Sequence, residues 1–177
     1  MSTDIARLQE MAEDTTVHKK LVMDNCLLMF NYLTEHDRLQ LGIDILKRGA
    51  VHDNSKYNAD EFKSLASILD SKKCFTDADS MLSEREIKAI EQHWKKNRHH
   101  PEYFEDKSEM TELDMIEMVC DWFARSIQYG TDFLPFVKER QKNRFKFKKS
   151  QFEIIFNYCK LLEELYNEKH TQSSKSN

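Results

Sequence analysis

Glycine and proline are scarce in this chain of 177 residues, and their scarcity limits the folds available to it. The three glycines and two prolines are Gly42, Gly49, Gly130, Pro101 and Pro135. A sheet protein of this size needs many tight turns, and such turns depend on these two residue types. No stretch shows the sustained period-two alternation that is typical of strands. The sequence therefore predicts an all-α protein.

Apolar residues recur at helical spacing along most of the chain. The predicted helices cover residues 5–13, 16–34, 37–49, 58–69, 84–97, 112–129 and 150–169, and residues 132–140 are predicted to form a short helix or a turn. Ser83 with Glu86, and Thr111 with Asp114, fit the capping-box pattern at helix starts. The predicted organisation is one helical domain over residues 1–170, followed by a polar, disordered tail at 171–177.

Two glycines are placed to end helices, because a left-handed residue often follows the last helical turn. Gly130 follows the apolar helix at 112–129, and Gly49 lies near the end of the helix at 37–49. The buried face of the latter helix is predicted from its apolar residues, which are Leu39, Ile43, Leu46 and Ala50. Residues 71–81 are predicted to form a surface loop.

The net charge is −4, from 27 Lys+Arg and 31 Asp+Glu, which gives no general attraction to nucleic acid or anionic membrane. No apolar run reaches membrane-span length, and the N-terminus lacks the features of a secretory signal. The four cysteines are far apart and form no CxxC pair: Cys26, Cys74, Cys120 and Cys159. Buried free thiols in a reducing compartment are predicted, and with them a cytoplasmic protein.

One local charge anomaly stands out against this background. The segment KERQKNRFKFKK, residues 138–149, is strongly basic. Either it is a solvated junction between helices or it is a docking patch for a polyanion.

Seven histidines are spread along the chain, and two of them, His36 and His170, are assigned to solvent. His52 is followed directly by Asp53, in the segment VHDNSKYNADEF. The segment EQHWKKNRHHPEYF holds His93, His99 and His100, and His18 lies on an earlier helix. Each histidine alone is consistent with an ordinary polar residue, but their combination points to a site.

Asp121 lies inside the otherwise apolar stretch MIEMVCDWFARS. If buried, its carboxylate needs a strong compensating partner. Asp114 and Glu117 share its helical face, at spacings of seven and four residues. These two are alternatively explained as a solvent-exposed polar stripe, whereas Asp121 favours a site once the histidines are considered.

The order of His18, His52-Asp53 and Asp121 resembles the HD-domain superfamily of metal-dependent phosphohydrolases. The motifs around these residues are similar to those of a small, poorly characterised HD-like group of bacteria and phages. That group shares three motifs, which read here HDNSKYNADEF, HWKKNRHHPEYF and EMVCDW. The resemblance covers residues 16–130, and it implies an all-α bundle with an interior metal site.

The resemblance implies that His18, His52, Asp53 and Asp121 ligate a metal. Imidazole and carboxylate ligands suit Mn²⁺, Fe²⁺, Co²⁺, Ni²⁺ or Zn²⁺. Relatives with two metals add histidines between the HD pair and the last aspartate. The candidates for a second metal site, or for a proton donor, are His93, His99 and His100. Their close spacing departs from the pattern of two-metal relatives, so one or two ions are possible.

Cations near these motifs are candidates for binding a substrate phosphate: Lys56, Lys95, Arg98 and Arg125. Lys56 is alternatively a surface lysine, and Arg125 alternatively pairs with Glu117 or Asp121. Three glutamates are candidates for orienting the ligating histidines: Glu61, Glu102 and Glu117.

Three functions are consistent with these residues. The first is metal-dependent hydrolysis of a small phosphorylated substrate, expected to be a nucleotide or related phosphoester. The second is a di-iron enzyme of the HD type that activates O₂. The third is a non-catalytic protein that senses a nucleotide or docks through residues 138–149. No motif names the substrate, the physiological metal or the oligomeric state.

Overall fold

A computed structural model describes residues 2–68 and 83–175 of the chain. Every regular element within these two ranges is helical, which confirms the all-α prediction for them. The α-helices are α1 (Ser2–Glu35), α2 (Leu39–Val51), α3 (Ala59–Ala66), α4 (Glu84–Trp94), α5 (Glu112–Tyr129), α6 (Phe133–Arg140) and α7 (Lys149–Lys175). Short 3₁₀ turns cover Asn54–Tyr57, Pro101–Tyr103 and Lys107–Glu109, and a π turn covers Gln141–Phe145.

The internal contacts of the chain divide it into two compact units. The first unit comprises Met1–Val17 and Asp53–Glu105, and the second comprises His18–His52 and Asp106–Asn177. In the second unit, α5 packs against both α2 and α7. Its apolar core includes fully buried side chains of α1, α2, α5 and α7, among them Met29, Ile45, Ile116 and Ile155. Burial of each such side chain contributes about 1.5–3 kcal/mol to stability.

The two helices predicted at 5–13 and 16–34 form one helix, α1. Asp14 and Thr15 have modest helix propensity, but neither residue breaks a helix. Buried side chains continue through the predicted gap at spacings of four, three and four residues, namely Met11, Thr15, His18 and Val22. This single stripe keeps the helix continuous and places His18 on its buried face.

The buried face of α2 is not the one predicted from its apolar residues. Gly42, Ile45 and Gly49 are buried, whereas Leu39 is 52% exposed. Gly49 does not terminate the helix, which continues to Val51. A Cβ at Gly49 would lie 2.9 Å from Sγ of Cys26, so this glycine permits close packing of α2 on α1. The stripe 42, 45, 49 continues at helical spacing to His52.

Several helix ends are as predicted. Ser83 with Glu86 and Thr111 with Asp114 form complete capping boxes at the starts of α4 and α5. Gly130 follows α5 in the left-handed conformation, with φ of 65°. The chain is extended at His100, before Pro101, as predicted. α4 itself ends earlier, at Trp94, whereas the predicted helix continues to residue 97.

Other boundaries differ from the prediction. α3 ends at Ala66, and α7 continues to Lys175, past residue 171 where the sequence predicts a disordered tail. The predicted loop at 71–81, with Cys74, lies outside the described residues. None of the described helices is long and apolar enough to cross a membrane.

Cys26, Cys120 and Cys159 are buried free thiols, as predicted. Burial raises the pKa of Cys120 well above its usual value, and the neighbouring Cys26 adds to the shift. Burial likewise raises the pKa of Cys159. Cys120 and Cys159 therefore stay protonated near neutral pH. All three buried cysteines pack as small apolar core residues.

Candidate metal centre

The second unit brings together three of the predicted ligands, His18, His52 and Asp121, which we call the helix cluster. Their side chains come from α1, from the C-terminal end of α2 and from α5. Nε2 of His18 lies 2.9 Å from Oδ1 of Asp121, and Nε2 of His52 lies 3.7 Å from the same oxygen. All three residues are buried, with at most 7% exposure. The carboxylate of Asp121 is thus placed between two imidazoles in the interior.

A buried ionic network lies behind His52. Nδ1 of His52 is 3.1 Å from Oε1 of Glu117, which leaves Nε2 directed to Asp121. Arg48 donates to Glu117 and to Asp114, at 2.6 Å in each case. A carboxylate on the far nitrogen of an imidazole fixes its tautomer and ring orientation and strengthens it as a metal ligand. Glu117 therefore has the contact proposed for it from the sequence, and Arg48 holds Glu117 in place.

Asp114 and Glu117 are not a solvent-exposed stripe, which was the alternative considered from the sequence. They are 1% and 4% exposed. Arg48 compensates both charges through charge-assisted hydrogen bonds. Together with Asp121 they make the inner face of α5 a line of three buried carboxylates.

The first unit holds a second group, Asp53, His93, His99 and His100, which we call the loop cluster. Asp53 precedes the 3₁₀ turn Asn54–Tyr57 and has left-handed backbone geometry, with φ of 53°. Its Oδ1 lies 3.3 Å from Nε2 of His93 and 3.4 Å from Nε2 of His99. Nε2 of His100 lies 3.1 Å from Nε2 of His93. Nitrogen and oxygen donors therefore converge here as well.

Glu61 supports His93 in the way that Glu117 supports His52. Its Oε1 lies 2.8 Å from Nδ1 of His93 and accepts a hydrogen bond from Ser55 at 2.8 Å, and its Oε2 accepts one from Lys96 at 2.8 Å. Burial opposes ionisation of Glu61, yet the hydrogen bonds from His93, Lys96 and Ser55 prevail and lower its pKa to about 2. Glu61 is therefore an ionised acceptor at neutral pH.

The electrostatic surroundings of His93 favour its charged form. Burial alone lowers the pKa of His93, but the carboxylates of Asp53 and Glu61 outweigh burial and raise it. A cation bound in place of the proton would be favoured by the same two carboxylates.

Lys56 is buried at 7% exposure, not on the surface. Its Nζ lies 2.6 Å from Oδ2 of Asp53, the oxygen that does not face the histidines. The two oxygens of Asp53 thus serve different partners, because Oδ1 faces imidazoles and Oδ2 accepts from an ammonium group.

Within each cluster, the distances between ligand atoms fit the spacing of ligands around a single transition-metal ion. Two ligand atoms each ~2.1 Å from a shared centre are ~3.0 Å apart at a right angle and ~3.4 Å apart at the tetrahedral angle. The shortest distances between ligand atoms in the clusters are 2.9–3.7 Å. In each cluster, every residue offers one ligand atom that lies within 4.8 Å of the ligand atoms of the other members. Imidazole with carboxylate is also a donor set that suits these metals. Each buried group could therefore hold a metal ion.

The other predicted phosphate-binding cations have different surroundings. Lys95 is exposed at the end of α4. Arg98 lies over the rings of Tyr103 and Phe104, at 5.2 and 5.0 Å from their centroids. Arg125 donates to Gln128, one turn along its own helix. Glu102, the third glutamate proposed to orient histidines, is half-buried in the turn Pro101–Tyr103.

Sequence reasoning missed the residues that support the histidines from behind. Arg48 lies four residues before His52 on α2, so helical spacing places both on one side. That spacing was the available signal for Arg48. Ser55, Lys96 and Asn97 lie inside the recognised motifs, but their hydrogen bonds to Glu61 or Ser55 depend on the folding of short turns.

No curated protein and no solved structure shows significant similarity to the chain. A protein-family model matches residues 7–168, a range that includes every member of both clusters. The chain therefore belongs to DUF5662, a family of unknown function.

Proposed function

We propose that the protein is a metal-dependent phosphohydrolase of the HD type, which cleaves a small phosphate ester such as a nucleotide. The observation that carries this proposal is the pair of buried imidazole–carboxylate clusters with metal-compatible spacing. The order of these residues along the chain is also the one that the resemblance to HD-domain phosphohydrolases implies.

A divalent transition metal held by these residues would supply electrophilic activation of a phosphoryl oxygen and of water. The chain itself supplies orientation. Glu117 and Glu61 hold Nδ1 of His52 and His93, so that Nε2 of each ring faces an aspartate. Fixed donors of this kind need no rearrangement during the reaction, which is the main advantage of a preorganised site.

Lys56 and His100 are the groups we assign to the phosphate ester itself. The ammonium of Lys56 is buried beside Asp53, where it adds positive charge for a phosphoryl oxygen. His100 is half-buried, whereas His99 is 2% exposed, so His100 is the more accessible proton donor for a leaving oxygen. The candidates for binding the rest of the substrate are still Lys95, Arg98 and Arg125.

Elemental analysis of protein purified without added metal is the first test, and about one or two transition-metal ions per chain are expected. Hydrolysis is then measured on a broad phosphoester panel with Mn²⁺, Fe²⁺, Co²⁺, Ni²⁺ and Zn²⁺. His52→Ala and Asp53→Ala should abolish hydrolysis, and His36→Ala, at an exposed histidine, should not change it. Metal-loaded protein that is inert across the panel would rule out the proposal.

The nitrogen-rich donor set favours one further candidate. Imidazole and carboxylate ligands of the kind found in each cluster also suit iron, so a di-iron enzyme of the HD type that activates O₂ is the second candidate. Anaerobic loading with Fe²⁺, followed by optical spectroscopy on exposure to O₂, separates the candidates because phosphoester hydrolysis consumes no oxygen.

A further inference from the structure

The basic segment 138–149, here the basic ridge, is independent of the proposed metal chemistry. It runs from the end of α6 through the π turn Gln141–Phe145 to the start of α7. It contains seven lysines and arginines and one glutamate, in a chain whose net charge is −4. Six of its cations are exposed: Lys138, Lys142, Arg144, Lys146, Lys148 and Lys149. Positive charge is therefore concentrated on one short stretch of an otherwise acidic protein.

Aromatic residues anchor the ridge to the second unit. Phe145 and Phe147 are each 6% exposed, and the ring of Phe145 stacks on Trp122 at 4.9 Å and on Phe147 at 5.7 Å. Lys107 donates to the carbonyl of Phe145 at 2.7 Å. Gln141 bonds both the N–H and the carbonyl of Phe147, at 2.9 and 3.0 Å. The backbone is thus tied down from several directions.

Exposed cations alternate with these buried rings. Arg144, Lys146 and Lys148 are exposed at the positions between and beside Phe145 and Phe147. A flexible surface loop would need neither buried rings nor backbone clamps. The hydrogen bonds to Phe145 and Phe147 fix the backbone that carries the cations, so less backbone conformational entropy is lost on binding a charged partner.

Lys146 occupies a backbone conformation that disfavours a lysine. Its φ of 50° and ψ of 44° are left-handed, and it follows the π turn as a cap. Gly130 caps α5 with nearly the same angles, 65° and 40°. Glycine adopts this conformation without steric cost, whereas a side chain there is strained. The chain therefore keeps a cation at a position where glycine would fit better, and this points to a use for the charge.

Two ion pairs lie at the ridge. Arg140, its half-buried cation, lies 3.5 Å from Glu139, and Lys148 lies 3.9 Å from Asp106. Both members of the second pair are more than half exposed, at 70% and 59%, so water screens their attraction.

We propose that the basic ridge binds the phosphate backbone of a duplex nucleic acid without reading its sequence. Regularly spaced phosphates attract clustered Lys and Arg side chains through release of counterions. Phe145 and Phe147 are buried, so they offer no platform on which bases of a single strand could stack. For the same reason they supply no apolar face for insertion into a bilayer.

Binding is tested by fluorescence anisotropy with a labelled mixed-sequence duplex of about 20 base pairs, in DNA and RNA forms, between about 50 and 200 mM salt. The wild-type affinity should fall with salt, with a slope near −0.9 per phosphate contacted. Lys142→Gln, Lys146→Gly and Lys148→Gln should each reduce the steepness of that slope by about 1.

Lys146→Gly provides a matched control for folding, since it removes charge and strain together. Its melting temperature should not fall, so weaker binding cannot be attributed to unfolding. Lys47→Gln, at a lysine that is 67% exposed on α2, should leave the slope unchanged. The proposal is overturned if the wild type does not bind at the lowest salt, or if ridge variants and Lys47→Gln have equal slopes. It is also overturned if the ridge variants lose binding to vesicles containing phosphatidylserine but keep binding to both duplexes.

Discussion

The helix cluster and the loop cluster use similar donors but are built differently. In each, one aspartate oxygen faces Nε2 atoms of histidines, and a glutamate lies behind one of those rings. The helix cluster takes its members from α1, α2 and α5. The loop cluster takes Asp53 from a left-handed turn and His99 and His100 from the non-helical stretch after α4.

As a result, the helix cluster is expected to be the more rigid of the two, and the loop cluster the more accessible. Side chains on packed helices are held by many neighbours, and all three members of the helix cluster are buried. The loop cluster includes the half-buried His100 and has the ammonium of Lys56 on its aspartate. We therefore expect the helix cluster to bind metal more tightly and the loop cluster to exchange metal and meet substrate.

The largest effect is expected from Asp121→Ala, which removes the carboxylate shared by both imidazoles of the helix cluster. Metal affinity should fall by more than about 100-fold, because even residues behind a ligand contribute 10–100-fold. Isothermal titration calorimetry on metal-stripped protein measures it. Asp24→Ala, at an acid paired with Lys20 on the surface of α1, is the control and should bind metal normally. Equal affinities for the two variants would contradict the assignment.

Arg48→Met should destabilise the protein strongly, since it leaves Asp114 and Glu117 buried without their counter-charge. Loss of one partner from a buried ionic network costs about 3–5 kcal/mol, and the lower end applies because Arg48 is 24% exposed. Urea unfolding measures the free energy of unfolding.

Arg38→Met is the matched control for Arg48→Met. Arg38 also pairs with a carboxylate of α5, Glu112, but both side chains are about 40% exposed, so a loss below about 1 kcal/mol is expected. Similar losses for the two arginine variants would show that the network behind His52 has no special role.

A moderate effect is expected from Lys56→Met, and it should change metal affinity and catalysis in opposite directions. Without the ammonium, Asp53 presents its full charge to a metal, so affinity at the loop cluster should rise by about tenfold, or about 1.4 kcal/mol. Hydrolysis should slow, because positive charge for the phosphate is lost. Metal titration and steady-state kinetics measure the two effects, and a parallel fall in both would contradict the role given to Lys56.

The smallest effect concerns pH and Glu61 in metal-free protein. The folded pKa of Glu61 is about 2, below its usual 4.5, so its ionised form stabilises the fold above about pH 4.5. That stabilisation is lost as pH falls from about 4.5 toward 2, when Glu61 becomes protonated. Glu61→Gln should lose less stability than the wild type over this window in acid unfolding followed by circular dichroism. If the wild type and Glu61→Gln lost equal stability between about pH 4.5 and 2, the prediction would be contradicted.

The sequence was most informative where its signals were local and strong. The capping boxes before α4 and α5 and the left-handed Gly130 form as predicted, because each depends on a few adjacent residues. The apolar residues around Asp121 marked it as a carboxylate that needs a partner if buried, and it is buried, 2.9 Å from Nε2 of His18.

The sequence did not reveal the positions whose structural role is not marked by a hydrophobic side chain. Glycine adds nothing to a hydrophobic pattern, so the buried face of α2 was assigned to its larger apolar residues. The partners of Arg48 come from a different helix, and no local pattern in α2 indicates them. The left-handed backbone at Asp53, directly after His52, is likewise not evident from one sequence.

Gly49 shows how tightly packing limits the mutations that the chain tolerates. Every substitution there adds atoms, and even the first added carbon meets Cys26 at 2.9–3.1 Å and Met23 at 3.2 Å. No residue is smaller than glycine, so no single substitution at position 49 is expected to leave the packing unchanged. In a saturation-mutagenesis screen, position 49 should appear as intolerant as a metal ligand although it contributes no chemical group. Intolerance to mutation in this protein therefore marks the spacing of helices as well as the chemistry between them.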